Sequence, residues 1–280
     1  MADDLPAPAL EVLARGTRLE SAHPGGRMVW HAWGQGEPVV LVHGGSGSWT
    51  HWIANVESLA ASGRRVLVPD LPGCGDSDKP LGGQDADALV EPLAGGIAQL
   101  IGPAPVDVVG FSFGGLTSGL MAAAHPERVR RLVLVGAPAM PLGQRPVRLL
   151  EWRHLTDPAQ RAAVHRGNLA ALMVHDPAAI TPLVLALHTA NTARDRLRRR
   201  RLSRTDALQQ ALLQLRVPVA AIYGREDALY RGRFDELEAS LRALPTLDFL
   251  AVIPGAGHWV QYEAREAFER ALAQALAPAR

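Results

Sequence analysis

Short apolar runs alternate with longer segments of helical character along most of the chain, and this alternation restricts the fold most strongly. Several runs, such as residues 39–42, contain no polar side chain, which is typical of a strand buried on both faces. Strands that alternate with helices form a mostly parallel sheet with helices on both faces, so the sequence predicts an α/β fold. The predicted strands are residues 28–33, 39–42, 66–68, 106–109, 132–135, 219–223 and 249–253, and the predicted helices are residues 50–61, 87–101, 116–125, 234–244 and 264–276.

Residues 140–214 interrupt this alternation. The stretch is helical in character, is rich in Ala, Leu and Arg, and contains Pro141, Pro146, Pro158, Pro177 and Pro182. Ligands of such folds bind beyond the carboxyl ends of the parallel strands. We therefore predict a helical cap at residues 140–214, placed over that edge of an α/β core made of residues 1–139 and 215–280. A chain of 280 residues is long enough for one domain with such an insertion.

The sequence Gly-Phe-Ser-Phe-Gly-Gly at residues 110–115 contains a G-x-S-x-G pattern between a predicted strand and a predicted helix. A sharp turn there lifts the hydroxyl of Ser112 clear of the sheet, and the N–H groups of the following helix face any developing negative charge. A Gly/Ser turn without a function has the same pattern. The identification of a nucleophile therefore depends on its partners.

An activated serine needs a base and a carboxylate that orients this base. His258 follows the last predicted strand, and Asp227 follows the strand before it. Taken singly, His258 is also compatible with an ordinary polar loop residue and Asp227 with a helix cap. The chain order Ser112, Asp227, His258 is the one expected for hydrolases of this architecture. We predict that these three side chains form one hydrogen-bonded row.

A hydrolytic serine also requires donors that stabilise an oxyanion. The N–H of Phe113 is one candidate, because this residue opens the predicted helix. The loop His-Gly-Gly-Ser-Gly-Ser at residues 43–48 follows a predicted strand, and the N–H of Gly45 is the second candidate. Such a loop can instead bind phosphate, but it lacks the Lys-Ser/Thr ending of a P-loop.

With these motifs in order, the chain resembles the α/β-hydrolase superfamily over nearly its whole length. The resemblance includes residues 43–45, 70–77, 110–115, 224–227 and 257–258. It implies a mostly parallel eight-stranded sheet, a helical cap and a serine nucleophile. It also implies an architectural role for residues 70–77, and for His43 a role in supporting the oxyanion loop. Haloperoxidases without a cofactor and proline iminopeptidases share the pattern, whereas the dehalogenases and epoxide hydrolases of this fold use Asp as the nucleophile.

The sequence Gly-His-Trp-Val-Gln-Tyr-Glu at residues 257–263 is similar to the corresponding loop of meta-cleavage-product hydrolases, which cut carbon–carbon bonds in dienoate ketones. In that group the oxyanion loop carries extra Gly and Pro, and an Asn precedes the nucleophile. Here residues 46–48 are Ser-Gly-Ser and Phe111 precedes Ser112. The sequence therefore favours hydrolysis of carboxylic esters. The alternatives are hydrolysis of a carbon–carbon bond in an acidic ketone and a non-catalytic ligand receptor on a hydrolase scaffold.

The end of the predicted cap is rich in arginine. At helical spacing Arg194, Arg198 and Arg201 would share one side, which is typical of a solvated basic face. In the functional alternative, one arginine turns inward and binds a substrate carboxylate. Candidate substrate-binding residues are His51, Trp152, His188 and Trp259, with Trp49, Trp52 and Met173 as further candidates, although each is equally compatible with packing.

Composition restricts the partners further. The net charge of +1 argues against binding of nucleic acid or an anionic membrane. Cys74 is the only cysteine, which excludes an internal disulfide, and the acidic N-terminus, residues 1–6, does not resemble a secretory signal. No metal or cofactor motif is present, so we expect no cofactor and no metal. We expect a cytoplasmic protein that acts on a small-molecule substrate, with homo-oligomerisation left open.

Overall fold

The computed structural model describes residues 5–142 and 147–277. The acidic N-terminal residues 1–4 and Pro146, which entered the sequence-based predictions, lie outside these ranges. The strands are β1 (Thr17–His23), β2 (Gly26–Trp33), β3 (Glu37–Val42), β4 (Arg64–Pro69), β5 (Val106–Phe111), β6 (Val129–Val135), β7 (Val219–Gly224) and β8 (Leu247–Ile253). The α-helices are α1 (Ala7–Ala14), α2 (Val56–Ala61), α3 (Val90–Ile101), α4 (Phe113–Ala124), α5 (Pro158–Asn168), α6 (Pro182–Ala193), α7 (Ala207–Leu212), α8 (Phe234–Arg242), α9 (Val260–Glu263) and α10 (Arg265–Ala275).

The eight strands form one sheet in the order β1-β2-β4-β3-β5-β6-β7-β8. The β1–β2 and β2–β4 pairs are antiparallel, and all other neighbours are parallel. The predicted α/β-hydrolase fold with a mostly parallel eight-stranded sheet is therefore confirmed. The sequence patterns did not locate β1, because five of the seven residues of this edge strand are polar and only Ser21 is buried.

The sheet separates two apolar cores, and alternate residues of each central strand supply them. In β3, Val40 and Val42 pack into one core, whereas Val39 and Leu41 pack into the other. The first core includes side chains of α3, α4, α7 and α8, and the second includes side chains of α2, α6 and α10. Burial on both faces explains why the central strands contain uninterrupted apolar runs.

The described part of the predicted cap contains α5, α6 and α7 together with a π-helical turn at Leu169–Met173. Pro158 and Pro182 occupy the first turns of α5 and α6, where a missing N–H leaves no hydrogen bond unmade. The side chains of Asp157 and Thr181 cap these two helices. Pro158 and Pro182 therefore start helices and do not break them.

The prediction that Arg194, Arg198 and Arg201 share a helical face was wrong. Helix α6 ends at Ala193, and the backbone beyond it binds to distant groups. The N–H of Arg198 donates to Gln84 Oε1 at 3.0 Å, and the N–H of Arg201 donates to the carboxylate of Asp85 at 2.5 Å. These acceptors replace the helical carbonyl groups, so residues 195–201 follow an irregular path.

Two further features of the described residues concern the sequence-based expectations. None of the helices they form is both long enough and apolar enough to span a bilayer. The thiol of Cys74 is buried, and burial raises its pKa to about 12. Such a thiol stays protonated and unreactive at neutral pH.

Candidate active site

Ser112 occupies the turn between β5 and α4 in a left-handed conformation, with φ of 51° and ψ of −121°. This region is strained for residues with a side chain. The neighbouring glycines allow close packing around the turn. A Cβ on Gly110 would lie 2.6 Å from the Cα of Gly115, and a Cβ on Gly114 would lie 2.4 Å from the carbonyl oxygen of His43. The turn therefore has the strand–turn–helix geometry that the G-x-S-x-G pattern predicts.

The structure brings Ser112, His258 and Asp227 together. The Nε2 atom of His258 lies 2.9 Å from the Oγ of Ser112, and its Nδ1 atom lies 2.8 Å from the Oδ2 of Asp227. Asp227 is fully buried and His258 is 2% exposed. Because a carboxylate only accepts hydrogen bonds, Nδ1 carries the proton and Nε2 is left to accept the hydroxyl proton of Ser112. The imidazole thus has the tautomer that a general base requires.

Two residues that the motif analysis did not single out hold this row in place. Gly136 follows β6 with φ of 53°, and a Cβ there would lie 3.2 Å from the Nδ1 of His258. The carboxylate of Glu263 accepts hydrogen bonds from the N–H groups of Gly257 and His175, at 2.6 and 2.8 Å. Glu263 therefore connects the loop of His258 to the segment that contains His175. The sequence signal for Gly136 was a glycine directly after the apolar run of a predicted strand.

The two predicted oxyanion donors are adjacent to Ser112. Phe113 is the first residue of α4, so its N–H has no acceptor within the helix. A Cβ on Gly45 would lie 3.6 Å from the Cβ of Phe113, and a Cβ on Gly44 would lie 3.1 Å from the Cβ of Ser112. The Gly-rich loop therefore packs directly against the serine and the first turn of α4.

Two buried histidines support this loop. The Nε2 of His43 accepts the N–H of Leu71 at 2.9 Å, so its Nδ1 carries the proton and donates to the carbonyl oxygen of Gly44 at 2.7 Å. The Nδ1 of His51 accepts the N–H of Gly44 at 3.2 Å. Burial lowers the pKa of both imidazoles, that of His51 well below its ordinary value. Both rings are therefore neutral at pH 7, and the Nε2 of His51 carries its proton.

The positions where this chain departs from the meta-cleavage pattern both contact His51. A Cβ on Gly47 would lie 2.2 Å from the Cε1 of His51, so a glycine is needed for the ring to fit. The ring of Phe111 lies 5.3 Å from that of His51 and 5.0 Å from that of His258, measured between centroids. Gly47, His51 and Phe111 thus form one packed group behind the oxyanion loop.

Ser112 opens into a cavity of two connected lobes. The Ser112 lobe has a volume of about 340 Å³ and is lined by Phe113, Arg200 and His258 among others. The second lobe, of about 240 Å³, is lined by the predicted residues His51, Trp152 and His188. Both lobes share the wall residues Gly45, Ser46, Leu149, Leu172 and Met173.

Trp259 differs from the prediction, because it lines neither lobe among the described residues. Its side chain is 1% exposed, its Nε1 donates to the carbonyl oxygen of His51 at 2.9 Å, and its ring stacks on Tyr262. Trp49 and Trp52 are also buried in packing positions, whereas Met173 lines both lobes. Trp259 therefore supports His51 from behind.

Arg204 and Arg200 of the basic segment both line the Ser112 lobe, and the contacts of Arg200 show how its side chain is held. Its guanidinium lies 5.3 Å from the ring centroid of Phe113, and its Nη2 donates to the Oδ1 of Asp195 at 2.6 Å. The other carboxylate oxygen of Asp195 accepts the hydroxyl of Ser46 at 2.6 Å. The Nε of Arg200 is buried without a partner among the described residues. This lobe therefore contains a guanidinium that is paired with Asp195 and has one donor without a partner among the described residues.

The polar groups of the cavity belong to hydrogen-bonding and acid–base chemistry. Within residues 5–142 and 147–277, no group of three or more His, Cys, Asp or Glu side chains could hold a metal ion. The arrangement offers a serine hydroxyl, a base with a fixed tautomer, backbone donors and a cation. These groups can add an oxygen nucleophile to a carbonyl carbon and stabilise the resulting oxyanion.

Comparison with known proteins agrees with this geometry. Residues 37–177 match the family model described as "alpha/beta hydrolase fold", and the chain belongs to this family. It is a hydrolase of the α/β-hydrolase superfamily, and the resemblance of its histidine loop to the meta-cleavage-product hydrolases is confirmed.

The relatives have two kinds of names. The chain is 30% identical to a 2-hydroxy-6-oxononadienedioate/2-hydroxy-6-oxononatrienedioate hydrolase of Burkholderia vietnamiensis (strain G4), over 84% of this chain and 85% of that one. It is 34% identical to the dihydrolipoyllysine-residue acetyltransferase component of an acetoin cleaving system of Pseudomonas putida, over 90% of this chain and 68% of that one. The solved meta-cleavage product hydrolase of Pseudomonas fluorescens IP01 superposes with a TM-score of 0.70 at 25% identity, over 89% and 93% of the two chains.

Proposed function

We propose that the protein hydrolyses a carbon–carbon bond in an acidic ketone of the meta-cleavage type, with Ser112, His258 and Asp227 as the catalytic residues. The observation that carries this proposal is the guanidinium of Arg200 in the same lobe as Ser112. An arginine with an unused donor suits a carboxylate, whereas a simple ester offers it no charge. The names of the relatives, which include a dienedioate hydrolase, support the same choice. Carbon–carbon cleavage therefore ranks ahead of the ester hydrolysis that the sequence alone favours.

In the first step, the Oγ of Ser112 adds to the ketone carbonyl while His258 Nε2 takes its proton. The carboxylate of Asp227 stabilises the imidazolium, and the N–H groups of Gly45 and Phe113 stabilise the oxyanion. All five groups lie at the carboxyl edge of the sheet, within one connected region. The proposal therefore requires no large rearrangement before the carbonyl is attacked.

In the second step, the tetrahedral intermediate collapses and the bond to the dienoate fragment breaks. The bond breaks from the keto tautomer of the 2-hydroxydienoate, in which the proton of the 2-hydroxyl group has moved to the carbon next to the attacked carbonyl. The electron pair of the broken bond is then delocalised through the remaining double bond onto the 2-carbonyl oxygen. His258 returns its proton to the departing fragment. Water then attacks the acyl group on Ser112, His258 takes the water proton, and the carboxylic acid and the free serine are released.

The two lobes suit the two ends of such a substrate. We propose that the dienoate carboxylate contacts Arg200 in the Ser112 lobe, and that the acyl group extends towards Trp152 and His188 in the second lobe. The described residues of the predicted cap, 140–142 and 147–214, supply much of both walls, including Leu149, Leu172, Met173 and Arg200. The proposal thus assigns substrate selection to that segment.

The deciding experiment compares 2-hydroxy-6-oxononadienedioate with a neutral phenyl ester of similar length. We expect kcat/KM for the ketone to exceed that for the ester by about tenfold or more, because only the ketone carries a carboxylate for Arg200. Loss of dienoate absorbance and release of phenol report the two reactions. Turnover of the ester without any cleavage of the ketone would refute the carbon–carbon proposal.

Ester hydrolysis is the second candidate, and one observation favours it. Phe111 occupies the position before Ser112 and packs between two imidazoles, so this chain lacks the Asn that the meta-cleavage group has there. The same catalytic groups would release an alcohol in place of the dienoate fragment. Labelling of Ser112 by a fluorophosphonate probe tests both catalytic candidates against a ligand receptor, for which we would see binding without turnover.

A further inference from the structure

A second basic cavity lies outside the site of Ser112. It has a volume of about 590 Å³ and lies beside the β1–β2 hairpin and the turn that contains Asp76. None of its lining residues lines either lobe of the Ser112 cavity. We call it the arginine cavity, because its wall includes Arg18, Arg27, Arg194 and Arg196, together with His31 and Asp76.

The central feature of the arginine cavity is the guanidinium of Arg194. This residue is only 9% exposed, and its Nη1 donates to the Oδ1 of Asp76 at 3.0 Å. Its Nε and Nη2 atoms are buried and have no hydrogen-bond partner among the described residues. These two nitrogens form one edge of the guanidinium, with parallel N–H groups that match two oxygens of one anion. Burial of charged donors without partners is unfavourable, so this edge requires an acceptor.

His31 provides a second, independent sign of a missing ligand. It is 2% exposed, and neither of its ring nitrogens has a partner among the described residues. Burial lowers its pKa, so the ring is neutral at pH 7 and offers one donor and one acceptor. Its ring packs against Trp33 and Trp49, which hold it in this position. Two buried side chains of one cavity thus have polar atoms without partners among the described residues.

The charges around the cavity favour an anion with more than two oxygens. Arg18 and Arg27 lie at the exposed rim, where both pair with Glu20. Arg196 donates to the carbonyl oxygen of Ser77 and has no carboxylate partner among the described residues. A carboxylate would use both of its oxygens on the edge of Arg194. A phosphate group has further oxygens for Arg196 or His31.

We propose that the arginine cavity binds the phosphate group of a small anionic ligand, with two phosphate oxygens on the Nε and Nη2 of Arg194. Asp76 remains paired with Nη1 on the opposite part of the guanidinium and orients it. The arginine cavity includes none of Ser112, His258 and Asp227, so the proposal is independent of the reaction at Ser112.

The test measures the binding of inorganic phosphate and of phenyl phosphate to the full chain by calorimetry, at constant ionic strength maintained with chloride. We expect saturable binding of both probes with one site per chain and a raised Tm. Arg194→Lys keeps the charge but lacks the two parallel donors, and we expect it to weaken binding about ten- to hundredfold. Arg199→Lys is the matched control, because Arg199 is exposed and lines no part of this cavity.

Several outcomes would overturn the proposal. One is the absence of any phosphate effect beyond that of chloride, and another is unchanged affinity in Arg194→Lys. Binding that is lost in Arg200→Gln but kept in Arg194→Lys would assign the phosphate to the Ser112 lobe. If Arg194→Lys does not fold, Arg194→Gln replaces it, because the amide can still donate to Asp76, and unchanged affinity in that variant would equally contradict the proposal.

Discussion

The row of Ser112, His258 and Asp227, here called the serine row, and the part of the cavity wall that contains Arg200 are built in different ways. Ser112, Asp227 and His258 each follow a strand of the same sheet, and close backbone packing at glycines fixes their turns. Arg200 lies in an irregular segment that is fixed by contacts with distant residues, such as the hydrogen bond from Arg201 to Asp85. Local motifs therefore define the chemical groups of this site, whereas the position of the wall that contains Arg200 depends on long-range contacts.

The largest expected effect falls on the serine row. We expect Ser112→Ala to lower kcat by about 10⁶-fold for every substrate that is turned over, as loss of the nucleophile does in comparable sites. Steady-state assays with the acidic ketone and the phenyl ester measure it. A loss of less than tenfold on the better substrate would remove Ser112 from the proposed role.

The next effect concerns the residue that orients the base. We expect Asp227→Asn to lower kcat by about 10⁴-fold, because an amide N–H in place of Oδ2 would favour the wrong tautomer of His258. Glu226→Gln is the matched control, since it changes the adjacent carboxylate, which makes no recorded contact with His258. Comparable losses in both variants would show that the effect comes from charge or folding and does not depend on the tautomer.

A smaller effect is expected at His51, which supports the oxyanion loop and also lines the second lobe of the cavity. His51→Phe removes the acceptor of the Gly44 N–H, so the oxyanion loop loses one support, and we expect kcat to fall about 10²-fold with little change in KM. His51→Gln offers an acceptor again and is expected to recover part of the rate. An equal loss in both variants, or a change in KM alone, would contradict a role in positioning the loop.

Substitution of Arg200 tests whether the wall of the Ser112 lobe binds a substrate carboxylate. We expect Arg200→Gln to raise KM for the acidic ketone about tenfold and to leave KM for the neutral ester unchanged, because only the ketone carries a carboxylate. Arg199→Gln removes a neighbouring exposed charge and serves as the control. A parallel rise for both substrates would mean that Arg200 acts by shaping the lobe.

The smallest effect concerns stability. Burial lowers the pKa of His188 to about 4, whereas the unfolded chain has a value near 6.5. As the pH falls below about 6.5, protons bind to the unfolded state first, so the free energy of unfolding decreases towards pH 4 by about 2 kcal/mol from this residue. Urea unfolding at pH 7 and pH 4.5 measures it. His188→Leu should flatten the dependence, and His154→Gln, at an exposed position, should not.

The sequence predicts the serine row well because each of its residues follows a recognisable strand. Apolar runs in β5, β7 and β8 mark where these strands end, and chain order identifies the three candidates. The edge strand β1 escapes this reasoning, because one of its faces is largely exposed and carries polar residues.

The positions of the side chains around Arg200 and His51 are harder to predict from the sequence, because they depend on distant contacts. The spacing of Arg194, Arg198 and Arg201 suits a helix, yet distant acceptors such as Gln84 bind the backbone and prevent one. Trp259 is adjacent to His258 and still points into the packing behind His51. Side-chain direction in such segments depends on partners that lie far away in the sequence.

The left-handed backbone of Ser112 has a consequence for protein engineering. Glycine adopts φ of 51° without strain, so Ser112→Gly is expected to melt at a higher temperature than the parent chain, by relief of about 1 kcal/mol. A selection that ranks variants by heat resistance alone would therefore enrich proteins that are well folded and inert. Libraries of this enzyme need an activity readout at every round.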